Sequence, residues 1–261
     1  MYEGDLERLE QPYPMQRIVH RRLPADWEGP VFVWDVDKTY LETRFSQLRG
    51  LLRIPFELAV DKRPVAGTPQ LLHALRRGSS GPGGPRNPLF FISASPPQLA
   101  GPVTARMVQD GVEFDGITFK DVPAVIRRGQ VGQLKEQVAF KVSALLRLTE
   151  ELPLGARLHL FGDDYEKDAD AYVLFADLAA GRLRGFELEE ALVRVGARRK
   201  YARAIANWAG PLPEREAVEG IWIRLVRDPA GGRIADRPAL VKGWKTPREA
   251  HTGLRSMGVL P

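Results

Sequence analysis

Four short apolar runs punctuate the chain, at 31–34 (VFVW), 88–93 (PLFFIS), 156–161 (ARLHLF) and 220–226 (GIWIRLV). Each is rich in β-branched and aromatic residues, which predicts strands covered on both faces. Between the runs, apolar residues recur at helical spacing. Thr68-Pro69 reads as a cap and first-turn proline for a helix over 69–77, and Ser95-Pro96 as the same pair for a helix reaching about Gln109. Further helices are predicted over 134–152, from Glu166 to about Gly181, over the basic stretch 186–207, and from Thr246-Pro247-Arg248-Glu249 to a stop at Gly258. The Gly- and Pro-rich stretch 78–88 reads as a surface connection, because no Gly-Lys-Ser/Thr and no helix start follow it. Residues 1–29 and 111–133 show no sustained period; the first of these is taken as a lead segment before the main domain. Alternating strands and helices predict an α/β fold with a mostly parallel sheet covered on both faces.

Composition narrows the chemistry. With 261 residues the chain can bury a sizeable core. It has no cysteine, which excludes disulfides, thiolate metal sites and thiol nucleophiles, so any metal must rest on oxygen or imidazole. His20, His73, His159 and His251 lack metal-ligand spacing and do not suggest zinc. A net charge of +5 permits an anionic ligand without demanding nucleic acid. The acidic, polar start and the lack of a long apolar run predict a cytoplasmic location.

Ligands of open parallel sheets bind beyond the carboxyl ends of the strands, and here those ends are acidic. The first run is followed by Asp35 and Asp37, the third by Asp163 and Asp164 with Asp168 close behind. Converging carboxylates resist ionising together unless a hard cation lies between them, and magnesium, which accepts a few carboxylates and keeps room for a phosphate oxygen, is the natural candidate. An acid after a strand is also a common turn former, and an acid in a helix's first turn complements its dipole, an alternative account of Asp164, Glu166 and Asp170 taken singly. Ser93 closes the second strand where it could donate to a phosphoryl oxygen, Ser95 reads as a helix cap, and Lys141 lies between Phe140 and Val142, where its ammonium needs an anion or a route to water.

The succession Asp35-Val36-Asp37-Lys38-Thr39, Phe91-Ile92-Ser93-Ala94-Ser95-Pro96, Lys141 and Gly162-Asp163-Asp164-Tyr165-Glu166-Lys167-Asp168 resembles the four motifs of the haloacid dehalogenase (HAD) superfamily of phosphotransferases. More narrowly it resembles the phosphatidate phosphatase catalytic domain of actin patch proteins, from about residue 31 to 181, with the IWIRLV run and the Gly243-Trp244 segment fitting the same pattern. Two departures stand out: Lys38 occupies a position usually acidic in that family, and Asp164 and Tyr165 replace small residues.

The resemblance implies a HAD-like Rossmannoid three-layer sandwich with little or no cap, over 30–261, with a helical insertion at about 182–219. It implies a magnesium-dependent phosphomonoesterase in which Asp35 is the nucleophile, Asp37 the acid and base, and Ser93 and Lys141 hold phosphate oxygens. Asp35, Asp37 and Asp163 would bind the metal, with Asp164 or Asp168 as a further acid. Thr39, Ser95 and Lys120 would line the substrate site, and Lys120, Arg127 and Arg128 would lend charge to its mouth. Without a large cap, a phosphomonoester carried on a lipid or macromolecule is the expected substrate, phosphatidate first among them, with peripheral membrane contact. The competing classes are a catalytically idle binding module for lipid head groups or protein and, on the strength of Arg198, Arg199, Lys200 and Arg203, a polynucleotide phosphatase.

Overall fold

A computed structural model describes residues 7–9, 12–42, 63–78, 85–121 and 136–261. Its centre is one eight-stranded sheet: β1 (Glu7–Leu9), β2 (Met15–Val19), β3 (Gly29–Asp35), β4 (Leu89–Ser93), β5 (Gly116–Lys120), β6 (Ala156–Asp163), β7 (Val218–Arg224) and β8 (Val241–Trp244), in the spatial order β1-β2-β5-β4-β3-β6-β7-β8. The six strands from β5 to β8 run parallel, and β2 and β1 extend the β5 edge antiparallel. The described helices are α1 (Thr68–Arg77), α2 (Ala100–Gln109), α3 (Gln137–Glu151), α4 (Asp168–Ala179), α5 (Gly185–Arg194), α6 (Arg199–Ala209), the short α7 (Gly232–Ala235) and α8 (Pro247–Ser256). This is the mostly parallel, covered α/β sheet that the alternation predicts and the Rossmannoid sandwich that the resemblance implies.

Side chains alternate across the sheet with the two-residue period of a strand. Val31, Val33, Leu158, Leu160, Ile221 and Ile223 face α3 to α6, so this layer is largely aliphatic. Phe32, Trp34, Phe161 and Trp222 face the layer of α1, α2 and α8. There Trp34 and Phe161 stack with centroids 4.2 Å apart and planes 8° apart, and Trp222 continues the stack 5.9 Å beyond Phe161. The strands therefore read as continuous apolar runs because both faces are covered.

Local starts differ from expectation where proline and glycine intervene. Ser95 caps no helix: Pro96 precedes Pro97 and is held extended (ψ 154), so a 3₁₀ turn at Pro97–Leu99 comes first and α2 begins only at Ala100. Thr68 does not cap α1 either, because Gly67 takes the cap position in the left-handed region (φ 85) and Thr68 is already helical. Thr246 does cap α8, its side chain accepting from Glu249 N. The basic stretch over 186–207 is two helices, parted near Gly196 (φ 107). Three strands lie where no period was legible, β1 and β2 inside the lead segment and β5 inside 111–133. Residues 79–84 of the expected 78–88 surface connection, Arg127, Arg128 and the spans 43–62 and 122–135, where a cap would be inserted, lie outside the described residues.

Candidate active site

The chain adds β4 and β5 on one side of β3, then returns to add β6, β7 and β8 on the other. The sheet's switch point is thus the carboxyl edge between β3 and β6, where a crevice is expected. Register brings the strand ends level: Asp35 pairs beside Ile92, Trp34 beside Phe161, and Asp163 beside Arg224. Asp35 closes β3, Ser93 closes β4, Asp163 closes β6, and α3 delivers Lys141 from the layer above.

Asp35, Asp163 and Asp168 converge here, offering one oxygen each within 4.8 Å of one another, all buried. Lys141, with no exposed surface, reaches into the cluster: its Nζ is 2.9 Å from Asp35 Oδ1 and 3.1 Å from Glu166 Oε2, and it donates to Asp168 Oδ1. Burial alone would lower the Lys141 pKa, but Asp168, Asp35 and Glu166 around it outweigh burial and hold it well above its ordinary value. Burial raises the Asp35 and Asp168 carboxyls above the usual range against the pull of Lys141, and pushes Asp163 up to about 7, with Asp168 adding to the effect.

Two oxygens show what the cluster lacks. Asp163 Oδ1 accepts from Tyr165 N at 2.6 Å and Glu166 N at 2.9 Å, whereas among the described residues no hydrogen-bond donor reaches the buried Asp163 Oδ2 or Asp35 Oδ2. Several buried carboxylates, two unpartnered oxygens and an all-oxygen donor set fit a small hard dication such as magnesium. Asp35, Asp163 and Asp168 are the residues that could hold it.

Asp164 and Asp37 are held by partners of their own. Asp164 Oδ1 accepts from Val226 N and Arg227 N and its Oδ2 from Asp228 N, all at 2.7 Å, which ties the loop after β7 to the loop after β6. Asp37 Oδ2 accepts from Ser95 Oγ at 3.0 Å. Ser95 therefore orients a carboxylate instead of capping a helix. Ser93 is buried and its Oγ accepts from Ser95 N at 3.2 Å, while the hydroxyl of the equally buried Thr39 has no partner among the described residues.

Lys120 departs from expectation. It ends β5 beside Ser93's strand but is buried, donates to Glu136 O at 2.9 Å and lies over the Tyr13 ring at 5.4 Å, so it does not project at a rim. The turn that brings Tyr13 down from the lead segment and the chain entering α3 at Glu136 together cover it. Burial lowers its pKa to about 8. The basic helix α6 is also engaged: Arg199 and Arg203 pair with Glu189 of α5, and Arg199 with Glu190 too.

Glycine at 162 was not singled out from the motif, yet the cluster depends on it. A Cβ there would lie 2.6 Å from the Asp168 Cβ, so only glycine lets Asp168 fold back over the strand end, where Asp163 N donates to its Oδ2 at 3.0 Å. Its place immediately before the Asp pair was the available signal.

Buried acids are thus gathered at the switch point of an α/β sheet. The family model described as phosphatidate phosphatase APP1, catalytic domain, matches residues 31–186, more than half of the chain, and the protein belongs to that family. The match spans every strand end named above from Asp35 to Asp168, and the family supports a phosphatase activity. No curated protein and no solved structure matches the chain. Among the described residues no helix is long and apolar enough to cross a membrane.

Proposed function

We propose that the protein is a HAD-type, magnesium-dependent phosphomonoester hydrolase that works through an aspartyl phosphate. The observation that carries this reading is Asp35: a buried carboxylate at the switch point, one oxygen against Lys141 and the other without a hydrogen bond, in one cluster with Asp163 and Asp168.

In the first step Asp35 attacks phosphorus, the bond to the leaving oxygen breaks, and Asp37 supplies that oxygen's proton. In the second step Asp37 takes a proton from water, the water oxygen joins phosphorus, and the Asp35 acyl phosphate bond breaks to release phosphate. Ser95 Oγ holds Asp37 in place for both transfers. Lys141 and Ser93 steady the phosphoryl oxygens. A magnesium ion held by Asp35, Asp163 and Asp168 would supply neutralising charge to the transferring group.

Family membership points to a phosphorylated lipid as substrate, and we take a lipid-borne monoester such as phosphatidate, met at a membrane surface from the cytoplasmic side, as the first candidate. The test is a magnesium-supplemented screen of soluble phosphomonoesters beside phosphatidate in mixed micelles. Release of phosphate that stops on chelation is expected, with higher kcat/KM on the lipid. No release from any ester would leave a binding module in its place, and full turnover in excess chelator would remove the metal from the mechanism.

A further inference from the structure

A cavity of about 170 Å³ lies at the opposite edge of the sheet from Asp35, at the far ends of the two helices that deliver Lys141 and Asp168. Leu146 and Leu152, at the end of α3, and Phe175 and Leu178 of α4 form its walls, all of them buried. Lys141 and Asp168 stand about 15 Å back along those helices, and the chemistry proposed above uses none of the wall residues. Exposed Leu154 and Pro213 mark the mouth, so a ligand has a way in.

Two arginines, Arg184 and Arg215, interrupt this apolar lining. Each is anchored by one nitrogen: Arg184 Nη1 caps α4 by donating to Leu178 O, and Arg215 Nη1 donates to Pro153 O, just past α3, at 2.6 Å. The other nitrogen of each, Nη2, is buried and has no hydrogen-bond partner among the described residues. A buried donor without an acceptor is costly, and a ligand oxygen that reaches it removes the cost. Charge points the same way. Glu214 lies 3.8 Å from Arg184 Nε, whereas among the described residues no acid pairs with half-buried Arg215, whose pKa burial lowers with no carboxylate opposing it. Glu150, the acid of the lining, is already occupied by Trp208 Nε1 and Arg147 Nη1. One guanidinium is thus left without a counter-charge, and a single carboxylate matches its fork.

We propose that this cavity is a binding site for a small monocarboxylate with an apolar body. The carboxylate meets Arg215 and Arg184, and the body lies among Leu146, Phe175 and Leu178. Size sets the length of that body: an apolar cavity of about 150 Å³ takes a six-carbon ring, so the 170 Å³ here fits a chain or ring of about six carbons. A mostly apolar hollow with a few convergent polar groups is the usual form of a small-molecule site.

Calorimetric titration of the full chain with sodium hexanoate tests the site, with butanoate, decanoate and 1-hexanol beside it. The readout needs no turnover and stands whether or not Asp35 is a nucleophile. Hexanoate is expected to bind at one site with a Kd of about 1 mM or tighter, about tenfold tighter than butanoate, because each buried methylene contributes about fourfold. Hexanol, which lacks the charge, should bind at least about tenfold more weakly. Decanoate should gain less than about fourfold over hexanoate, since the cavity is then full. Arg215→Met keeps the stem and removes the cation, and should weaken hexanoate about tenfold while hexanol binding holds. Arg184→Gln, expected to weaken hexanoate about threefold, carries the test if losing the Arg215 bond to Pro153 unfolds the protein. Equal binding of hexanoate and hexanol, affinity that climbs steadily through decanoate, or a preference untouched by either substitution overturns the site. Displacement of hexanoate by inorganic phosphate with magnesium also overturns it, because the anion would then be at Asp35 and Lys141.

Discussion

Asp164 and Asp168 lie one helical turn apart in sequence and serve opposite sides of the same loop. Asp164 takes three backbone N–H groups of the loop after β7, whereas Asp168 turns inward to Lys141 and Asp163. A carboxylate already filled by three donors has little left for a cation, and one wedged between a lysine and a second acid is placed to share one.

The two substitutions should therefore separate. Asp164→Ala leaves three N–H groups without their acceptor and is expected to cost about 2 kcal/mol of stability, with magnesium affinity kept within a few-fold. Asp168→Ala should weaken magnesium at least tenfold and remove the rise in melting temperature that the ion gives the parent protein. Titration calorimetry and thermal melts with and without magnesium check both. The reverse pattern would return the metal role to Asp164.

Asp35→Asn keeps the shape of the side chain and removes its nucleophilicity. A fall in kcat of at least about a thousandfold is expected, with the melting temperature held or raised, since burial already disfavours the Asp35 anion. Parent-like turnover in this variant would dismiss Asp35 as nucleophile.

Gly162→Ala tests the backbone beneath the cluster. Its new Cβ collides with the Asp168 side chain, so Asp168 must leave its position or the loop must shift, at about 1–3 kcal/mol. Magnesium affinity and kcat should fall together. If both stay at the parent level, the close approach of Asp168 is not required for the site.

What the sequence discloses follows from how local each cause is. β3 and β6 were legible because two covered faces leave an unbroken apolar run that ends in acids, and with them Asp35 and Asp163. β2 was not, because its MQRIV segment buries Gln16 and Arg17 against Asp121 and Glu151, partners more than a hundred residues away. A polar residue with a distant partner looks like a surface residue until the fold supplies that partner. Asp164 and Asp168 could not be told apart for the same reason, since the donors that occupy Asp164 come from residues 226–228. Thr68 and Ser95 misled for a nearer one: Gly67 and Pro97 changed the backbone beside them.

Lys120 ties stability to pH. Its folded pKa is lowered to about 8 from 10.5, chiefly by burial and in spite of the raising influence of Glu136. Between those two values the unfolded chain holds a proton that the folded chain has released, so this residue makes stability rise with pH from about 8 to 10.5 and exacts its full penalty below that window. Lys120→Met keeps a flexible stem over Tyr13 and has no proton to lose. Urea unfolding should find the variant more stable than the parent near neutral pH, with the difference shrinking steadily as pH climbs through the window. A difference that does not change with pH would mean that the ammonium remains protonated throughout, held by Glu136 more firmly than burial opposes it.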